Sequence, residues 1–125
     1  MGSEMCIRDR EYTANLKDLN ADVALMRLNN ALVGSGQFGA EFDIKGRAVK
    51  VETFKVGTAL AERAFVHVKL ALLSGRSPQI KRQLSESLLA VVKDLCEWPA
   101  GVEIHLCVEI LDIDRESYAK ATVGV

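Results

Sequence analysis

One arginine stands where this chain is best equipped to hold an anion. Arg76 lies in Ser74-Gly75-Arg76-Ser77-Pro78, between an apolar run and an amphipathic one. Ser77 is a favoured helix N-cap, and Pro78 suits the first helical position because its missing N–H would lack a partner there anyway. Arg76 therefore directly precedes a helix N-terminus, whose free N–H groups and dipole favour negative charge. Its planar guanidinium matches a carboxylate through two parallel hydrogen bonds. The same side chain could instead be a surface arginine capping something local, and residue chemistry leaves both roles open.

The other reactive side chains give less. Cys6, Cys96 and Cys107 are an odd number without metal-type spacing, and they read as reduced thiols of a cytoplasmic protein. Cys96 and Cys107 read as ordinary packed residues. His67 and His105 fall in separate strand-like runs, where a lone histidine most often packs or hydrogen-bonds, so no metal is assigned.

The elements around Arg76 follow from periodicity. Residues 64–73 are almost all apolar, interrupted by His67 and Lys69, which predicts a central strand with those two side chains on one face. Ile80, Leu84, Leu88, Val91, Val92 and Leu95 recur at three- and four-residue spacing and predict an amphipathic helix, stopped by Trp98, Pro99 and Gly101.

Upstream, Asn15 to Gly34 reads as a helix capped by Asn15 or Asp18, with Leu19, Val23, Met26 and Asn30 on one line and Leu25, Leu28 and Leu32 beside it. Residues 37–43 read as a loop. Alternation from Ile44 to Val56 predicts a long strand with a bulge near Gly46, and Gly57 to Glu62 a turn. Residues 102–111 alternate as a half-buried strand, and the polar segment from Asp112 holds one short helical turn. The order is strand–helix–strand twice. Right-handed crossovers would give an α/β (α+β) fold: a four-stranded sheet with both helices on one face. The bare face then calls for other subunits.

Composition bounds the function. A chain of 125 residues makes one domain that buries about two-thirds of its unfolded surface. At 49% hydrophobic residues it has apolar surface to give to an oligomer interface. A net charge of −1 argues against a nucleic-acid partner. No run is long and apolar enough to span a membrane, no basic run suggests a membrane patch, and no signal peptide is evident.

Several of these stretches resemble a known family. EYTANL, then IKGRAVKVETFKVG, AFVHVKL, SGRS and EIHLCVEI resemble, in order and spacing, the tautomerase superfamily. They are most similar to its 5-carboxymethyl-2-hydroxymuconate Δ-isomerases, from about Glu11 to Asp112. The resemblance implies a tautomerase-like double β-α-β subunit, a homotrimer, sites near subunit boundaries, and no metal or organic cofactor. It implies enol–keto tautomerisation of a small unsaturated di- or tricarboxylate in aromatic compound degradation. The general base it implies is the secondary amine of an amino-terminal proline, with arginines holding the carboxylates. Arg76 matches the arginine of the family's GRS loop. The second cation falls in IKGRA, where Lys45 and Arg47 share a strand face, and the bidentate requirement favours Arg47.

The sequence departs from the family at its start. Counting back from Glu11-Tyr12 places the proline at Cys6, within MGSEMCIRDR. Pro78 and Pro99 are internal, so no proline offers a free amine. Residues 1–10 are polar, show no period of two, and read as a mis-started or foreign segment preceding a single domain from residue 11 to 125. A homologue that has lost the amine and kept the trimer for anion binding or structure is the alternative. Cys6 as a replacement base or nucleophile is a third, needing a depressed thiol pKa.

Overall fold

The computed structural model describes residues 6–124, with side chains from Arg10 to Gly124. Four strands and two helices alternate: β1 (Cys6–Thr13), α1 (Ala21–Gly34), β2 (Ile44–Val51), β3 (Arg63–Leu73), α2 (Pro78–Lys93) and β4 (Glu103–Ile113). Single 3-10 turns at Glu41–Asp43 and Arg115–Ser117 precede β2 and follow β4. The sheet order is β2-β1-β3-β4. β1 pairs with β2 and β3 with β4 in parallel, each pair joined through a helix, while β1 and β3 meet antiparallel at the centre. Two β-α-β units thus lie head to tail. Cys6 and Arg63 begin their first strands and Asn20 and Ser77 cap their helices, at the same sequence separation.

The core lies on the helix-covered face. Ala64, Val66, Val68, Leu70 and Leu72, alternate residues of β3, have no exposed surface and pack with Leu28 and Leu32 of α1 and Leu84, Leu88 and Val92 of α2. On the other face lie Phe65, His67, Lys69 and Ala71, with Lys45, Arg47 and Val49 of β2 and His105, Cys107, Glu109 and Leu111 of β4. Among the described residues, no element covers them. On this face His67 Nε2 lies 3.2 Å from Glu109 of the neighbouring strand, and His105 Nε2 lies 2.6 Å from Glu103 of its own strand.

α2 is set as the sequence predicts at its start. Ser77 Oγ accepts from the Ile80 N–H at 3.2 Å, and Pro78 opens the helix. It ends at Lys93, before the predicted stop, because the Asp94 N–H already closes on Val91. Arg27 of α1 donates to the Asp94 carbonyl at 2.7 Å and pairs with its carboxylate, satisfying an otherwise open helix end.

Differences from the sequence reading concern local competition. α1 begins at Ala21, capped by Asn20, whose Oδ1 accepts from the Val23 N–H. Asn15 does not cap it, because its amide donates to the Arg63 carbonyl at 3.0 Å. Asp18 does not either, because residues 14–19 form turns that bury Leu16 and Leu19. The buried line of α1 is Ala24, Leu28 and Leu32, while Val23 and Met26 are exposed. β2 stops at Val51, where β1 ends, and its pairing from Ile44 onward carries no bulge at Gly46. Residues 6–10 lack an alternating pattern, yet they run in β1. Strands on both sides supply main-chain hydrogen bonds there whatever the side chains are.

Candidate active site

One end of the sheet gathers the expected site positions. Ile44, Cys6, Leu72 and Asp112 form one row across β2, β1, β3 and β4. Residue 6, where the family's proline is counted, therefore sits opposite the last residue but one of β3. The Ser74–Ser77 turn follows directly. Gly75 makes this turn with φ 122°, a conformation L side chains rarely adopt, so the glycine is required.

Arg76 leans from that turn over the helix-covered side. Its Nη1 donates to the Leu73 carbonyl at 3.2 Å and its Nη2 to the Gln37 carbonyl at 2.8 Å. The guanidinium lies 5.1 Å from the centre of the Phe38 ring. The capping role left open by the sequence is therefore real, and it holds the guanidinium in one orientation at this end of the sheet. Lys45 approaches the same 37–43 segment from β2, its Nζ donating to the Phe42 carbonyl at 3.0 Å. Arg47 is exposed on the same strand face, one pleat further along, paired in register with residue 9. The structure thus brings Arg76 and Lys45 to one connecting segment and leaves Arg47 nearer the middle of the sheet. Side chains of residues 6–9 lie outside the described residues, so the Cys6 alternative has a backbone position only.

Two further groups at this end were missed by the sequence reading. Arg115 donates from Nε to the Ser74 carbonyl at 2.9 Å and from its backbone N–H to Ser74 Oγ at 3.3 Å. Lys120 pairs with Asp43, whose side chain is wholly buried, and the Lys120 Nζ lies 5.8 Å from the centre of the Phe42 ring. Both cations belong to the segment after β4, whose polar composition gave no sign of where it would fold back.

The remaining thiols are poor nucleophiles. Burial, with Asp18 adding to it, pushes Cys96 above the ordinary thiol value, and burial with Glu109 does the same for Cys107. Among the described residues, no group of three His, Cys, Asp or Glu side chains clusters to hold a metal, and no helix is long and apolar enough to cross a membrane.

Sequence comparison decides the family. The profile of the 5-carboxymethyl-2-hydroxymuconate isomerase family matches residues 9–123. The chain belongs to that family. Curated protein sequences give no match. Among solved structures, a 5-carboxymethyl-2-hydroxymuconate isomerase from Deinococcus radiodurans R1 is similar at 24% identity and TM-score 0.86, over 97% of this chain and 92% of that one. A 5-carboxymethyl-2-hydroxymuconate Δ-isomerase is similar at 17% identity and TM-score 0.72, over 96% and 89%. A fused 4-OT symmetric trimer is similar at 22% identity and TM-score 0.63, over 92% and 91%. The isomerase family and its tautomerase-like fold, read from the sequence as a resemblance, are thereby established. Within that family, the sheet end bearing Arg76 and Lys45 is the candidate active site.

Proposed function

We propose that this family member is built for enol–keto tautomerisation of a small unsaturated di- or tricarboxylate such as 5-carboxymethyl-2-hydroxymuconate, as a cytoplasmic homotrimer in aromatic compound degradation. The observation that carries the reading is the row Ile44–Cys6–Leu72, which puts the start of β1 beside the Arg76 turn. An amine at that start would stand within reach of a carboxylate held by Arg76. The amine, kept neutral by a sheltered setting, takes the enol hydroxyl proton, and the same proton returns to a carbon of the resulting dienolate. Arg76, with Lys45 or Arg47, stabilises the charge that develops on the substrate oxygens. The trimer is supported by the uncovered sheet face and by the symmetric trimer among its structural neighbours.

Residues 1–10 are proposed not to belong to the native domain, and this exact chain to be impaired for lack of the proline. Arg10 supports this. It lies between Ala48 and Val68 on the helix-covered face, fully buried, and its three nitrogens have no hydrogen-bond partner among the described residues. Burial pulls its pKa below the ordinary arginine value, and the ring of Tyr12, 5.5 Å away, faces it as a cation–π partner. A native strand would carry an apolar residue at such a position.

The test compares two proteins on a 2-hydroxymuconate-type enol, following ultraviolet absorbance: the chain as it stands, and one whose residues 1–6 are replaced by Met-Pro so that processing exposes the proline. Turnover only in the second is expected. If neither turns over while both bind a carboxylate analogue, the isomerase reading gives way to a non-catalytic anion-binding homologue.

A further inference from the structure

A cavity opens at the end of the sheet away from Arg76. There the turns that lead into α1, residues 15–19, face the segment that follows α2, residues 96–99, across a space of about 270 Å³. Much of its lining is apolar: Leu16 and Leu19 are buried, and Trp98 and Pro99 are half-buried. The indole is held in place, since Trp98 Nε1 donates to the Lys93 carbonyl at 2.9 Å. Apolar cavities of about 150 Å³ take up benzene, while drug-sized ligands need about 300 Å³ or more. The space therefore suits one ring with a short arm.

Charge decides what the arm carries. α2 ends and α1 begins beside this cavity, so the two helix dipoles oppose each other and the side chains set the sign. The lining presents two exposed carboxylates, Asp18 and Glu97, against one ammonium, Lys17. Neither carboxylate enters an ion pair among the described residues. Asn15, also in the lining, spends its amide on the Arg63 carbonyl, and its Oδ1 is buried with no donor to offset its partial negative charge. Cys96, in the wall, responds to the balance. Beyond burial, which raises its pKa most, the charge of Asp18 raises it by more than the charge of buried Arg10 lowers it. The wall is thus electronegative.

We infer that this cavity is a binding site for a small organic cation, a primary amine carrying one aromatic ring. The ring lies against Trp98, Leu16 and Leu19, and the ammonium meets the carboxylates of Asp18 and Glu97, which line the same space. The indole contributes twice, as apolar surface and as a cation–π partner. The site is separate from the Arg76 turn, and the inference stands whether or not the chain is an isomerase.

Trp98 is the chain's single tryptophan, so its emission reports on this cavity. Titration of the chain as it stands with 2-phenylethylamine, excited where tryptophan alone absorbs, is expected to give a saturable change in emission. Two controls are expected to give none over the same range: 3-phenylpropanoate, similar in shape but of opposite charge, and butylamine, which keeps the ammonium without the ring. Asp18→Asn combined with Glu97→Gln should weaken the aromatic amine about tenfold, the value of one charge-assisted contact. Both substitutions keep the side chain's shape at an exposed position. The inference is overturned if the aromatic amine gives no saturable change, if either control binds as well as it does, or if the doubly substituted chain keeps full affinity.

Discussion

At the scale of single residues, the charged groups sort by whether they meet a partner. Arg76 does, through Leu73, Gln37 and Phe38, whereas the nitrogens of buried Arg10 find no hydrogen bond among the described residues. Replacing Arg10 by leucine should therefore stabilise the fold, by about 3 kcal/mol, because an uncompensated buried charge gives way to packing against Val68. Urea unfolding reads this as a higher midpoint at unchanged slope, and a lower midpoint would show that the guanidinium is satisfied in solution. The sequence made Arg76 legible because Gly, Arg, Ser and Pro each fit one position of a strand-to-helix turn. Arg115 was not legible. Nothing in its neighbours Asp114 and Glu116 marks it as the residue that folds back onto Ser74.

At the scale of elements, β3 and α2 could be read almost residue by residue, because a fully buried strand and a capped amphipathic helix leave strong periodic signals. α1 was harder. Its N-terminus offered Asn15, Asp18 and Asn20 as caps, and only the tertiary contact of Asn15 with Arg63 removes the first. The turn before α2 is where local chemistry should be most measurable. Ser77→Ala is expected to cost about 1 kcal/mol through loss of the bond from Ile80. Gly75→Ala is expected to cost about 2 kcal/mol, since φ 122° strains any residue that carries a Cβ. Thermal unfolding of the two single variants checks the order, and a Gly75→Ala variant as stable as the parent would mean that the turn relaxes. 

At the scale of the whole molecule, the uncovered sheet face governs assembly. Val49 and Leu111 remain exposed there, on a face that no described element covers. Light scattering should give the mass of three chains, and Val49→Asp together with Leu111→Asp should give one. A single-chain mass for the parent would sink the trimer. That one sheet face stays uncovered was legible from the order and alternation of the strands. The head-to-tail arrangement of the two β-α-β units carries a consequence of its own. A half-turn about the axis between β1 and β3 carries Cys6 onto Arg63 and the Arg76 turn onto residues near Asp18, so each end of the sheet is an approximate copy of the other. Yet the nitrogen of Arg63 is a peptide amide, wherever the chain begins, and donates its lone pair to a carbonyl instead of a proton. An amine-dependent reaction is thus confined to one pole of a nearly symmetric body, and the other pole is free to diverge without touching the chemistry.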